Sequence, residues 1–397
     1  MSPRLRTIDD LGSIEGRRVL VRCDFNVPLE DGRITDDLRI TAARPTLTEL
    51  LDRGAALVLC SHLGRPKGQV VDRLRLDPVA RRLSEVLDRP VDKLDEVVGP
   101  EAERRCAGLR PGDVVLLENL RFEPGEEQDD PGFADALAGL GETFVDDAFG
   151  AAHRAHASVV GVAQRLPSAA GRLMQREVEA LSRLLEGAAE PYVAILGGAK
   201  VSDKLAAVNA MVDRVDALLI GGAMAFSFLG AAGAETGRSL VEPDRFDEVR
   251  RAVKRAEEKG VLIELPEDVV AAPEPTLEAK RETVRADAIP RGLMGLDIGP
   301  KSVEEFARVI AEAGTVFWNG PMGMFELEPY SAGTRGVARA VAGTPAFTVV
   351  GGGDSVAALR RFELLDRIDH VSTGGGASLE FLEGRELPGL AVLMEEG

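Results

Sequence analysis

Val193-Ala194-Ile195-Leu196-Gly197-Gly198-Ala199-Lys200-Val201-Ser202-Asp203-Lys204-Leu205 runs from an apolar tetrad through a glycine pair into a stretch where Leu205, Val208 and Val212 recur at helical spacing. A short apolar run that ends in glycine and hands over to a helix is the βα unit of a parallel sheet. The same order recurs on both sides. Toward the N-terminus the runs are Val19-Leu20-Val21, Leu57-Val58-Leu59, Val114-Val115-Leu116-Leu117 and Phe144-Val145. Toward the C-terminus they are Leu218-Leu219-Ile220, Val261-Leu262-Ile263, Val316-Phe317-Trp318 and Phe347-Thr348-Val349-Val350. That many strands are more plausible as two sheets than as one, so the fold class is α/β, with two parallel sheets flanked by helices. Asp77-Pro78 reads as an N-cap followed by proline at the first helical position, and Ser302 to Glu305 has capping-box spacing.

Between the halves, Leu173, Met174, Val178, Leu181, Leu184 and Leu185 keep helical spacing among charged residues, which predicts a connecting helix over 172–186. Gly187 and Pro191 oppose its continuation. The expected division is therefore a domain over 1–171, the connecting helix, and a second domain over 187–376.

Composition bounds the function. The chain has 397 residues, 45% of them hydrophobic, enough for a large core. A net charge of -18 disfavours nucleic acid and anionic membranes as partners, so local Arg and Lys clusters point to small anions. Cys23, Cys60 and Cys106 show no metal-ligand spacing and no disulfide framework, which fits a reducing cytoplasm. No apolar run approaches the roughly 18 to 20 residues of a membrane span, and residues 1–13 lack an apolar signal region. Export and membrane insertion are not expected.

Two kinds of anion-handling sequence occupy opposite halves. In the second half, Gly197 to Lys204 offers backbone amides at a helix start, where an oxyanion can approach closely, and Lys200 and Lys204 are spaced to face one anion. A tight turn with solvated lysines is the alternative reading of that octet. Further glycine turns at Gly221-Gly222, Asn319-Gly320-Pro321-Met322-Gly323, Gly351-Gly352-Gly353-Asp354-Ser355 and Gly374-Gly375-Gly376 would share the carboxyl edge of one sheet, where ligands bind. Asp354 reads as a hard oxygen donor for Mg²⁺ beside a phosphate turn, or as the N-cap of the next helix; the two roles can coexist. Neither a Walker A loop nor a dinucleotide fingerprint occurs, which disfavours nicotinamide chemistry.

The first half carries Asp24 and Asn26, then His62 and Arg65 in Ser61-His62-Leu63-Gly64-Arg65, then Arg39, Arg121 and Arg154. Guanidinium forks converging at strand ends would hold a small polyanion, although each Arg taken singly also reads as a surface ion-pair residue. All four histidines, His62, His153, His156 and His370, read as loop residues. No Ser/His/Asp or Cys/His arrangement stands out. Phosphoryl transfer to an ionised acceptor needs positioning and charge neutralisation rather than an activated nucleophile.

Assembled in order, RCDFNVP, ITDDLRI, SHLGRPKG, LLENLRF, DAFGAAHRAHAS, GGAKVSDK, WNGPMGMFE, GGGDS and STGGGASLE resemble the phosphoglycerate kinase family across essentially the full chain. The resemblance implies two Rossmann-like domains with a cleft between them, hinge closure, and a tail over 377–397 that returns to the N-terminal domain. It implies reversible transfer of phosphate between 1,3-bisphosphoglycerate and Mg-ADP by a cytoplasmic monomer. It assigns Asp24, Asn26, Arg39, His62, Leu63, Gly64, Arg65, Arg121 and Arg154 to the phosphoglycerate. Lys204, Gly295, Asn319, Glu326, Gly352, Gly353, Asp354 and Ser355 would serve ATP or ADP, with Asp354 toward Mg²⁺. Arg39, Lys200 and the amide of Gly375 would act on the phosphoryl group in flight. Cys23 and Ala223 depart from the family's usual residues without touching a charged position. A kinase of another carboxylate, or a nucleotide-responsive binding protein on the same scaffold, are the rival readings.

Overall fold

The computed structural model of the chain describes residues 4–395. It divides into two compact units: one holds the chain through Glu179 and again from Glu386, and the other is Ala180–Arg385.

In the first unit the principal strands are β1 (Arg18–Arg22), β2 (Ala56–Cys60), β3 (Asp92–Lys93), β4 (Val114–Leu116), β5 (Thr143–Asp146) and β6 (Ser168–Ala170). All neighbours are parallel, in the order β3-β4-β2-β1-β5-β6. Leu57 and Thr143 flank Val19 in register. Every residue of β2 is buried, as expected where helices cover both faces of a parallel sheet. The helices are α1 (Leu38–Asp52), α2 (Asp77–Leu87), α3 (Pro100–Ala107) and α4 (Pro131–Ala138). Leu47 and Leu50 of α1 and Leu83 of α2 close over Val19, Val21, Leu57 and Leu59. Burial of each such side chain is worth about 1.5–3 kcal/mol relative to exposure.

The helix expected over 172–186 is α5 (Arg172–Glu186), and the division between the units falls inside it, after Glu179. Its first turn is held by Asp147, whose carboxylate accepts from the amides of Leu173 at 2.9 Å and Met174 at 3.2 Å.

In the second unit β7 (Tyr192–Leu196), β8 (Ala217–Ile220), β9 (Leu262–Glu264), β13 (Thr315–Asn319), β14 (Phe347–Gly351) and β15 (His370–Val371) form a parallel sheet in the order β9-β8-β7-β13-β14-β15. An antiparallel sheet of β10 (Asp268–Ala272), β11 (Glu282–Arg285) and β12 (Met294–Ile298) lies in the same unit. The helices are α6 (Leu205–Met211), α7 (Met224–Ala231), α8 (Phe246–Lys259), α9 (Pro300–Ala311), α10 (Ala332–Gly343), α11 (Gly353–Arg361) and α12 (Gly376–Leu382). Trp318 and Ile195 pack with Phe306 of α9, Val337 of α10 and Leu359 of α11.

Four local expectations need correcting. Asp77 is not the cap of α2; Leu76 holds that position, and the Asp77 carboxylate lies 3.3 Å from Lys93 Nζ instead. Helix α9 starts at Pro300 rather than after Ser302, because Asp268 of β10 captures the Ser302 amide at 2.9 Å and its hydroxyl at 2.8 Å. His370 opens strand β15 rather than lying in a loop. Residues 377–385 group with the second unit, where α12 packs on α6 and Ala377, Ser378 and Leu382 are buried.

From Glu386 onward the tail belongs to the first unit. Helix α13 (Pro388–Ala391) sits on the π-helical turn Ala157–Gly161, with the Gly389 amide donating to the Ala152 carbonyl at 2.9 Å. Beyond it Met394 bridges Leu5, and Arg4 pairs with Glu395 at 2.9 Å.

Candidate active site

Both parallel sheets start from a central strand, β1 or β7, place the next strand on one side and a later one on the other. A crevice opens beyond the carboxyl ends of strands where the order reverses in this way. Most candidate residues of each unit follow those ends, whereas Gly295 lies inside β12 of the antiparallel sheet.

In the first unit, Asp24 and Asn26 follow β1, His62 to Arg65 follow β2, and Arg121 follows β4. Arg39, in the first turn of α1, pairs with Asp24 at 2.9 Å and donates to the Asn26 carbonyl at 3.2 Å. The Asn26 side chain accepts from the Gly64 amide at 2.9 Å, and Arg121 Nη1 donates to the Gly64 carbonyl at 2.8 Å. Leu63 is fixed by Asn119, which accepts from its amide at 3.1 Å and donates to its carbonyl at 2.8 Å. One hydrogen-bonded set thus joins Asp24, Asn26, Arg39, Gly64 and Arg121. Arg65 and Arg154 are exposed, and Arg154 Nε lies 2.9 Å from His153 Nε2. His62 is buried; desolvation, reinforced by Arg22, Arg121 and Arg39, holds its imidazole well below the usual histidine range, so it is neutral. Burial likewise pulls His156 down to about 4. The cationic character of this edge therefore comes from guanidinium groups.

In the second unit the glycine loops interlock through backbone. The Gly197 amide donates to the Asn319 carbonyl at 3.0 Å, Gly198 to Pro321 at 3.0 Å, and Gly222 to Met322 at 3.1 Å. A Cβ on Gly320 would collide with the Gly197 carbonyl, so only glycine permits this approach. The interlocked loops wall a cavity of about 390 Å³, lined by Ala223, Phe226, Leu240, Gly295, Met322 and Met324 among others, with Glu326 and Asp354 also on its wall. An apolar slot with polar groups at its margin suits a flat heterocycle carrying a polar tail.

The polar margin is well defined. Lys204 Nζ donates to Asn319 Oδ1, and burial brings this ammonium down to about 8. The Ser355 hydroxyl accepts from the Gly320 amide at 2.6 Å. Asp354 does not cap α11: Gly352 occupies the cap position without a side-chain bond, and Asp354 is exposed in the first turn beside the helix amides. The cap reading of Asp354 is therefore replaced by an open carboxylate. Gly375 takes a left-handed φ of 55° at the start of α12. Lys200 is exposed in its loop.

A family model described as phosphoglycerate kinase matches residues 8–385. The chain belongs to the phosphoglycerate kinase family. Relatives with that name include proteins of Thermomicrobium roseum, 57% identical over 99% of this chain and 100% of theirs, and Rubrobacter xylanophilus, 56% identical over 98% of each. Among solved structures, the phosphoglycerate kinase of Coxiella burnetii is 42% identical with a TM-score of 0.87, covering 98% of this chain and 99% of that one. That of Pyrococcus horikoshii is 33% identical with a TM-score of 0.88, covering 98% of each.

Several residues of the site region escaped the sequence reading. Arg22, Glu126 and Ser158 form a buried polar layer beside His62, and Asp146 and Asp147 are buried next to it. Desolvation pushes Asp146 up to about 7 and Asp147 up to about 6. Asp297 lines the cavity of the second unit, accepts from the Gly333 amide at 2.6 Å, and is pushed up by burial to about 7. The available signal was a charged residue inside an apolar run, as in Val19-Leu20-Val21-Arg22 and Gly295-Leu296-Asp297-Ile298.

Proposed function

We propose that the first unit holds the phosphoglycerate and the second the Mg-nucleotide of a phosphoglycerate kinase reaction. The acyl phosphate of 1,3-bisphosphoglycerate passes reversibly and directly to Mg-ADP, giving 3-phosphoglycerate and Mg-ATP, in glycolysis and gluconeogenesis. Family membership over residues 8–385 is the observation that carries this reading.

In this reading Asp24, Asn26, Arg39, His62, Leu63, Gly64, Arg65, Arg121 and Arg154 bind the phosphoglycerate. Asp24 and Asn26 orient Arg39 and the Gly64 loop, while the guanidinium groups neutralise carboxylate and phosphate. The apolar cavity takes the base beside Gly295, Glu326 accepts from a ribose hydroxyl, and Lys204, Asn319, Gly352, Gly353 and Ser355 secure the phosphates. Asp354 fits a magnesium ion: it is a single exposed carboxylate beside helix amides, and Mg²⁺ is ordinarily held by one or two carboxylates together with substrate phosphates. The ion, when bound, neutralises charge on the phosphate oxygens. Arg39, Lys200 and the Gly375 amide stabilise the phosphoryl group as it loosens, and preorganised charge of this kind supplies most of the rate. Transfer requires the two substrates to be brought together, which assigns domain closure to the region near α5 and Ser372-Thr373 and to the exclusion of water from the acyl phosphate.

Among the described residues no helix is long and apolar enough to cross a membrane. A cytoplasmic monomer is the setting we assign. A coupled assay of ATP formation from 1,3-bisphosphoglycerate and ADP tests the function; turnover of a different acyl phosphate, with none of this one, would overturn the substrate assignment.

A further inference from the structure

Arg22 ends β1 with a side chain that is 1% exposed. A buried guanidinium is tolerated only when its donors find acceptors. Nε donates to Ser158 Oγ at 2.8 Å, Nη1 donates to the Cys23 carbonyl, and Nη2 lies 3.1 Å from Nδ1 of His62. Behind it, Ser158 donates through its hydroxyl to Glu126 Oε1 at 2.6 Å and through its amide to Oε2 at 3.0 Å.

The direction of every bond in this chain is forced. A guanidinium has donors and no acceptor, so the Ser158 oxygen accepts from Arg22 and its single proton goes to Glu126. By the same rule Nδ1 of His62 is the acceptor and carries no proton. A neutral imidazole with a bare Nδ1 carries its proton on Nε2. Neutrality follows independently from burial among Arg22, Arg121 and Arg39. The opposite tautomer would set an N–H against the guanidinium N–H and leave a lone pair on Nε2, where an anion would be repelled.

We propose that Arg22, held from behind by Ser158 and Glu126, is a positioning residue that locks His62 in the Nε2–H tautomer and so turns a hydrogen-bond donor toward the bound phosphoglycerate. The last clause rests on the assignment of phosphoglycerate to the first unit. The lock itself does not.

The test begins with ¹⁵N–¹H long-range NMR correlation on the ligand-free, ¹⁵N-labelled full chain, with His62 assigned by its loss in His62→Gln. The expected spectrum shows His62 neutral and protonated at Nε2 at neutral pH. A protonated Nδ1, or a doubly protonated ring, overturns the proposal, and this readout needs no substrate and no variant beyond the one used for assignment. Arg22→Met should then give mixed tautomers and raise KM for 3-phosphoglycerate in inverse proportion to the remaining Nε2–H fraction, about twofold at equal populations, with KM for ATP unchanged. Arg22→Lys, which also only donates, should restore the single tautomer. An unchanged KM for 3-phosphoglycerate in an Arg22→Met protein with mixed tautomers overturns the positioning role. Parallel loss of both substrates in Arg65→Ala would instead fault the phosphoglycerate assignment.

Discussion

Lys204 offers the most quantitative test of the nucleotide side. Its ammonium is half-buried at the start of α6, hydrogen-bonded to Asn319 Oδ1, and burial lowers it from 10.5 to about 8, with Asp203, Asp354 and Glu383 opposing the shift. If the charged form is what grips the nucleotide phosphates, ADP affinity must fade as pH rises through about 8. With that midpoint, roughly one Lys204 in eleven is charged at about pH 9, so Kd for ADP should be about tenfold weaker there than at neutral pH. Calorimetric titration of ADP in the absence of phosphoglycerate, repeated across this pH range, measures it. Lys204→Met should bind weakly at every pH and lose the slope. The stability contribution of the same group has the opposite sign. Its folded value lies below the unfolded 10.5, so between about 8 and 10.5 the unfolded chain binds more protons, and stability from this site rises with pH across that window. General alkaline unfolding would lower affinity and stability together. An ADP Kd that stays flat past about pH 9, or a Lys204→Met protein that keeps the wild-type slope, would refute the assignment of Lys204.

Lys200→Ala should lower turnover by roughly 10²-fold or more while leaving nucleotide Kd nearly unchanged, as for a group that acts only on the transferring phosphoryl; single-turnover rates beside ADP titrations decide it. Arg65→Ala removes an exposed guanidinium and should weaken phosphoglycerate by about 1–3 kcal/mol without altering ATP binding, so equal loss of both would undo the division of labour between the units. Gly295→Ala places a Cβ against the Phe226 ring that walls the cavity; overpacking should cost about 1–3 kcal/mol in thermal unfolding. Its KM for ATP should rise and that for 3-phosphoglycerate should not, and the reverse pattern would move the base out of this slot.

What the sequence made legible was local. The strand, glycine and helix of 193–205, the charged face of 172–186 and the polar strand ends all lie within a few residues of one another, so periodicity and turn chemistry expose them. What it hid depends on partners far away in the chain. Arg22 meets Ser158 across 136 residues and His62 across 40, and nothing in the run Val19 to Phe25 names either partner. Helix caps failed for the same reason. Asp268 reaches Ser302 from 34 residues away and outcompetes the local capping box. Cys23 is fully buried although Arg22 and Asp24 flank it in the sequence.

The structure separates two uses of the glycine turns that look alike in sequence. At Gly197, Gly221, Gly222 and Gly320 a Cβ would strike neighbouring backbone or the Met322 side chain, so these glycines let three loops interlock. At Gly198, Gly353, Gly375 and Gly376 a Cβ would meet nothing within 4 Å, so packing does not explain them. The first set builds the platform. The second set borders open space at the carboxyl edge of the sheet, where a phosphate can approach backbone amides. Substitution by alanine should therefore divide them: the first set loses stability before activity, whereas Gly353→Ala keeps its fold and loses nucleotide affinity. A destabilised Gly353→Ala protein with intact affinity would place that glycine in the packing set and take the phosphate contact away from the start of α11.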